Sequence, residues 1–96
     1  MSEQTLQRTV IVTNPQGLHA RPADLFVKTA SRFESKVEII KDSERVDGKS
    51  ILAILTLAAA EGTTLQLEAT GRDAAAALEA LAELIAHNFA EDETAC

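Results

Sequence analysis

Cysteine is all but missing. Cys96 is the only one and the last of 96 residues, so no internal disulfide can form and the fold needs no oxidising compartment. Equally absent is any apolar run of membrane length, and residues 1 to 9 (MSEQTLQRT) lack the apolar stretch of a secretory signal. A cytoplasmic protein without membrane insertion is the expectation. Basic patches are scarce as well: the formal net charge is −6 and the pI about 4.8. Nucleic acid is a poor partner for such a chain, because phosphate backbones demand clustered Lys and Arg.

Small size excludes more. At 10.3 kDa there is room for one compact domain, taken as residues 1–96 with a core from about 9 to 89. A domain of this size buries only ~60 to ~70% of its unfolded surface, so it cannot enclose a large cofactor pocket as well as a core. No cofactor is expected, and any chemistry belongs on the surface. The hydrophobic share of 46% and charged share of 25% are those of a globular protein, which argues against wholesale disorder.

The charge is unevenly placed. Residues 1 to 50 carry eight basic side chains (Arg8, Arg21, Lys28, Arg32, Lys36, Lys41, Arg45, Lys49) against seven acidic, while residues 51 to 96 carry only Arg72 against eight acidic. An anionic ligand is therefore expected on the first half.

Thr9 to Thr13 (TVIVT) is β-branched and reads as a first strand, with Val10 and Val12 inward and Ile11 outward. Asn14, Pro15, Gln16 and Gly17 form a turn. Pro22 to Ser31 then has apolar residues at Ala23, Phe26, Val27 and Ala30, a helical spacing with proline at its entrance. Val37 to Lys41 and Arg45 to Asp47 form a hairpin about the turn Lys41-Asp42-Ser43-Glu44. Ser50 is expected to cap a short helix through ILAILTLAAA that ends near Gly62. Leu65, Leu67 and Ala69 alternate with polar residues in a fourth strand closed by Gly71. Asp73 is expected to cap a last helix from Ala74 to about Phe89, with Leu78, Leu81, Ile85 and Phe89 on one stripe. The order βαββαβα predicts an α+β layer fold, with helices over one face of a four-stranded sheet and the other face solvated.

Nucleotide and metal motifs are wanting. Neither GxxxxGK[ST] nor GxGxxG occurs; Asp47-Gly48-Lys49-Ser50 resembles the end of a P-loop, but Ser43 stands where its first glycine is needed. The two histidines, His19 and His87, have no cysteine or carboxylate at a familiar metal spacing, so no metal site is expected. His87 falls in the last turns of a helix, where a cation suits the dipole. His19 follows a turn, precedes a helix and has Arg21 two residues on. A dianion held there would meet backbone N–H groups, the helix dipole and a guanidinium together, and imidazole is a nucleophile that can carry a covalent group. The competing assignment is a surface helix cap. Ser50 is worth ~1 kcal/mol as an N-cap with no function at all, although a phosphate at a helix N-terminus would be electrostatically welcome.

Gly17-Leu18-His19-Ala20-Arg21-Pro22-Ala23, followed by Lys49-Ser50-Ile51-Leu52-Ala53-Ile54-Leu55-Thr56-Leu57, resembles the histidine-containing phosphocarrier protein (HPr) family of the bacterial sugar phosphotransferase system. The similarity runs from about Thr9 to Phe89. It implies an open-faced β-sandwich, a four-stranded antiparallel sheet with three helices on one face. It also implies that His19 accepts a phosphoryl group on a ring nitrogen from enzyme I and passes it to the A component of enzyme II. Arg21 matches the phosphate-stabilising arginine, and Ser50 the serine that an HPr kinase/phosphorylase modifies in some bacteria. Ile51, Leu52 and Leu55 match an apolar patch that contacts partners, to which the resemblance adds Ala20 and Lys28 on the docking helix and Lys49 beside the serine. Asp24 is a departure, an acid on that helix. A monomer is expected. The alternatives are a nitrogen-branch carrier, an interaction module working through the state of Ser50, and a small acyl-phosphate hydrolase.

Overall fold

The computed structural model describes residues 4–89. Strand β1 (Gln4–Ile11) leads to helix α1 (Ala20–Ala30), the hairpin β2 (Lys36–Lys41) and β3 (Glu44–Asp47), helix α2 (Ile51–Thr56), strand β4 (Thr64–Gly71) and helix α3 (Ala74–Ala86). The sheet order is β1-β4-β2-β3 with every pairing antiparallel, the expected α+β, βαββαβα arrangement.

Alternation divides the sheet. Val37, Ile39, Leu65, Leu67 and Ala69 are buried against Phe26, Ile54, Leu57, Leu78, Leu81 and Ile85, so the helices cover one face. The opposite face is polar. There Arg45 bridges Glu38 at 2.6 Å and Glu68 at 3.1 Å, and Gln7 donates to Glu68 at 2.9 Å. Gln7, and after it Arg45, hold the Glu68 carboxyl below its usual range.

Several boundaries depart from the sequence reading, each for a local reason. β1 spans Gln4–Ile11 instead of Thr9 to Thr13, because all eight residues pair with β4 from Gln4↔Gly71 to Ile11↔Thr64. Thr5, Gln7 and Thr9 are exposed on the solvated face, so this half of the strand has no apolar alternation to read. α1 starts at Ala20, two residues before Pro22, which still lies in the first turn. α3 stops at Ala86, and the left-handed Asn88 and Phe89 (φ 57° and 60°) fold Phe89 back into the core.

α2 ends at Thr56, well short of Gly62. Three consecutive alanines follow Leu57, and alanine is the best helix former, yet tertiary bonds override it. Lys41 Nζ donates to the Leu57 carbonyl at 2.9 Å, Ala58 turns left-handed (φ 50°), and Ala59 offers its carbonyl to the Leu18 amide at 2.9 Å. Asp73 is the final departure. It occupies the N-cap position of α3 without capping it; its carboxylate instead accepts from the amides of Glu34 and Ser35, each at 2.9 Å, and from the Ser35 hydroxyl. Ser35, and after it the Glu34 amide, hold the Asp73 carboxyl below its ordinary range.

Candidate functional site

The turn before α1 is built from both ends. Gly17 donates to the Asn14 carbonyl at 3.1 Å, while Asn14 Nδ2 donates to the Gly17 carbonyl at 2.8 Å. That same carbonyl accepts the His19 amide at 2.9 Å. Gly17 has φ +68°, and a Cβ there would lie 2.4 Å from the Ala59 carbonyl oxygen, so only glycine fits both the conformation and the space.

His19 then serves as N-cap of α1 with extended backbone (φ −92°, ψ −168°), and its side chain makes no capping hydrogen bond. This removes the helix-cap assignment for the ring. The imidazole is exposed and shares a shallow concavity with Gln16, Ala20, Arg21 and Pro22. With the His19 amide bonded to Gly17 and Pro22 lacking an N–H, the first-turn amides are those of Ala20 and Arg21. No acidic residue stands in that first turn, so the helix dipole favours an anion at His19, within reach of the Arg21 side chain that lines the same concavity. Arg21 also lines a neighbouring concavity of about 270 Å³ with Asn14, Gln16, Asn88 and Phe89. Sequence reasoning passed over Asn14 and Gln16 except as turn formers; the turn signal itself was the available clue.

Ser50 behaves differently. It is the N-cap of α2, and its Oγ accepts the Ala53 amide at 3.2 Å. Lys49 reaches away, its ammonium donating to the Phe33 carbonyl at 2.8 Å. Phe33 lies just past the end of α1, whereas Ala59, beyond α2, holds the turn at the start of α1. α2 therefore lies beside α1 in the opposite direction, with Ser50 toward the far end of a helix about 16 Å long. Of the apolar residues on α2, Leu52 is 76% exposed, whereas Ile51 and Leu55 are half-buried. Lys28 is exposed and pairs with Asp24 at 3.2 Å one turn earlier. The structure thus brings His19, Ala20 and Arg21 together and keeps Ser50, Ile51, Leu52 and Leu55 on a separate helix. His87 is the exposed C-cap of α3. Among the described residues no group of three His, Cys, Asp or Glu side chains gathers to hold a metal, and no helix is long and apolar enough to cross a membrane.

An exposed histidine at a helix start on a small open-faced sandwich presents a surface nucleophile to a docking protein. Comparison with known proteins gives the family. The family model described as the PTS HPr component phosphorylation site matches residues 6–87. The chain is 46% identical over 88 residues to the phosphocarrier protein HPr of Neisseria meningitidis, covering 92% of this chain and 99% of that one. It is 45% identical to the phosphocarrier protein HPr of Treponema pallidum, over 88% of this chain and 97% of that one. The crystal structure of HPr-C-His from Thermoanaerobacter tengcongensis superposes with a TM-score of 0.86 at 42% identity, covering 91% and 98% of the two chains. The chain belongs to the HPr family, the phosphocarriers of the phosphotransferase system.

Proposed function

We propose that the protein accepts a phosphoryl group on a ring nitrogen of His19 from enzyme I and delivers it to the A component of enzyme II. The observation that supports this most is the uncapped, exposed His19 ring beside Arg21 at the open end of α1. In the transfer the imidazole nitrogen forms a bond to phosphorus as the donor's bond breaks, and no water enters. Arg21 and the amides of Ala20 and Arg21 stabilise the charge on the phosphoryl oxygens. The exposed face of α1, with Ala20 and Lys28, and the apolar Ile51, Leu52 and Leu55 meet the partners, with Lys49 at their edge. Ser50 is a regulatory phosphorylation site for an HPr kinase/phosphorylase. The carrier acts as a cytoplasmic monomer, without cofactor, metal or nucleic acid.

Incubation with enzyme I and labelled phosphoenolpyruvate tests this. Label that is acid-labile and base-stable supports a phosphohistidine carrier. No label favours an interaction module, and inorganic phosphate released without a partner favours a hydrolase.

A further inference from the structure

We propose that Asn14 is a positioning residue for His19, acting through the one carbonyl that its amide and the His19 backbone share. This rests on the carrier reading above and deepens it. Asn14 is 5% exposed, and its Nδ2 donates to the Gly17 carbonyl at 2.8 Å while the His19 amide donates to the same oxygen at 2.9 Å. A carbonyl oxygen has two lone pairs, and here both are used, one by the turn and one by the residue that the turn presents. Because the His19 ring makes no capping bond to the helix, its direction is set by its backbone, and that backbone is fixed where the two donors meet.

The other atom of the amide separates positioning from stability. Asn14 Oδ1 is buried with no partner among the described residues. Burying an acceptor without a donor costs free energy, so an apolar replacement removes a penalty together with the bond to Gly17. After the change the Gly17 carbonyl still holds the His19 amide, and the Gly17 amide still holds the backbone carbonyl of residue 14. The turn survives with one restraint fewer. A side chain whose purpose was folding would give the opposite balance. Asn14 also borders the concavity next to that of His19, and Gln16, from the same turn, lines both.

The test uses the whole chain with enzyme I and phosphoenolpyruvate, comparing wild type, Asn14→Ala, Asn14→Ser and Asn14→Asp. Three things are measured: the rate of phosphoryl acceptance, the His19 ring signals in ¹H–¹⁵N spectra, and the melting temperature. Misplacing a reacting group by a fraction of an ångström is costly, so Asn14→Ala is expected to accept phosphoryl about tenfold more slowly, with displaced His19 ring signals. Its melting temperature should fall by under about 4 °C. Asn14→Ser, whose hydroxyl can still donate to a nearby carbonyl, should recover part of the rate. Asn14→Asp, which keeps the shape without a donor at neutral pH, should not. Should Asn14→Ala fail to fold, the contrast between Ser and Asp carries the same test. Wild-type rates and unmoved ring signals in both Asn14→Ala and Asn14→Asp overturn the proposal and leave the carrier reading intact, as does a rate loss no larger than the unfolded fraction. A wild-type protein that takes no label on His19 overturns both.

Discussion

The starts of α1 and α2 occupy equivalent places in two helices and use them in opposite ways. At α2 the Ser50 oxygen is spent on the Ala53 amide, the ordinary way to satisfy a donor that the helix cannot reach. At α1 the His19 ring stays out of the helix, and the turn behind it is held by Asn14, Gly17 and Ala59 instead. α3 is a third variation, in which Asp73 stays at the cap position but turns its carboxylate to the amides of Glu34 and Ser35. Position at a helix start therefore does not define a residue's role. What matters is whether its polar atoms are already engaged.

The largest effect should come from removing the unengaged group. His19→Ala is expected to fold normally and to accept no phosphoryl group, since its ring lies exposed outside the core; circular dichroism and label incorporation check the two halves, and retained acid-labile label would assign the chemistry elsewhere. Gly17→Ala attacks the turn that presents the ring. A side chain in left-handed backbone costs about 1–3 kcal/mol, and the Ala59 carbonyl stands in the way, so denaturant unfolding should show a loss of at least that size together with slower transfer. Arg21→Ala should slow transfer about ten- to a hundredfold without abolishing it, because the helix amides remain. Rapid-quench kinetics at the wild-type rate would remove Arg21 from the anion site.

At the α2 start the effects should be smaller and of another kind. Ser50→Ala loses a cap worth about 1 kcal/mol, whereas Ser50→Asp can still cap and should keep the fold. Ser50 lies toward the end of α1 opposite His19, and exposed charges are screened over about 8 Å at physiological salt. Inhibition of transfer by Ser50→Asp should therefore act through partner docking, raising the concentration of enzyme I needed and weakening with salt; a change in the saturated rate alone would contradict this. The smallest effect belongs to Asp73. Its carboxyl is held below the ordinary range by Ser35 and the Glu34 amide, so its contribution to stability is present above the unfolded carboxyl pKa of about 3.9 and is lost as pH falls through the lower folded value. Asp73→Asn should lower stability at neutral pH and flatten the acid limb of a stability-pH curve below about pH 4.

Much of this was legible in the chain. The apolar alternation of Leu65, Leu67 and Ala69 and the helical spacing of Leu78, Leu81 and Ile85 survive directly in the core, because burial rewards those periods. The outer half of β1 was not legible, since Thr5, Gln7 and Thr9 face solvent and carry no apolar signal. Nor was the end of α2, where the alanine run obeys Lys41 and Leu18, partners that are distant in sequence. At the site, His19 and Arg21 were visible as a pair two residues apart. The separation of Ser50 from them was not, because it depends on α2 lying beside α1 in the opposite direction, and Asn14 read only as a turn former.

The assignment of the phosphoryl group to His19 is checked by a long-range ¹H–¹⁵N and ³¹P NMR spectrum recorded before and after addition of enzyme I and phosphoenolpyruvate. A new nitrogen–phosphorus coupling is expected on the His19 ring alone, with the His87 ring signals unmoved. Coupling at His87, or a phosphorus signal bound to oxygen and none to nitrogen, would contradict it.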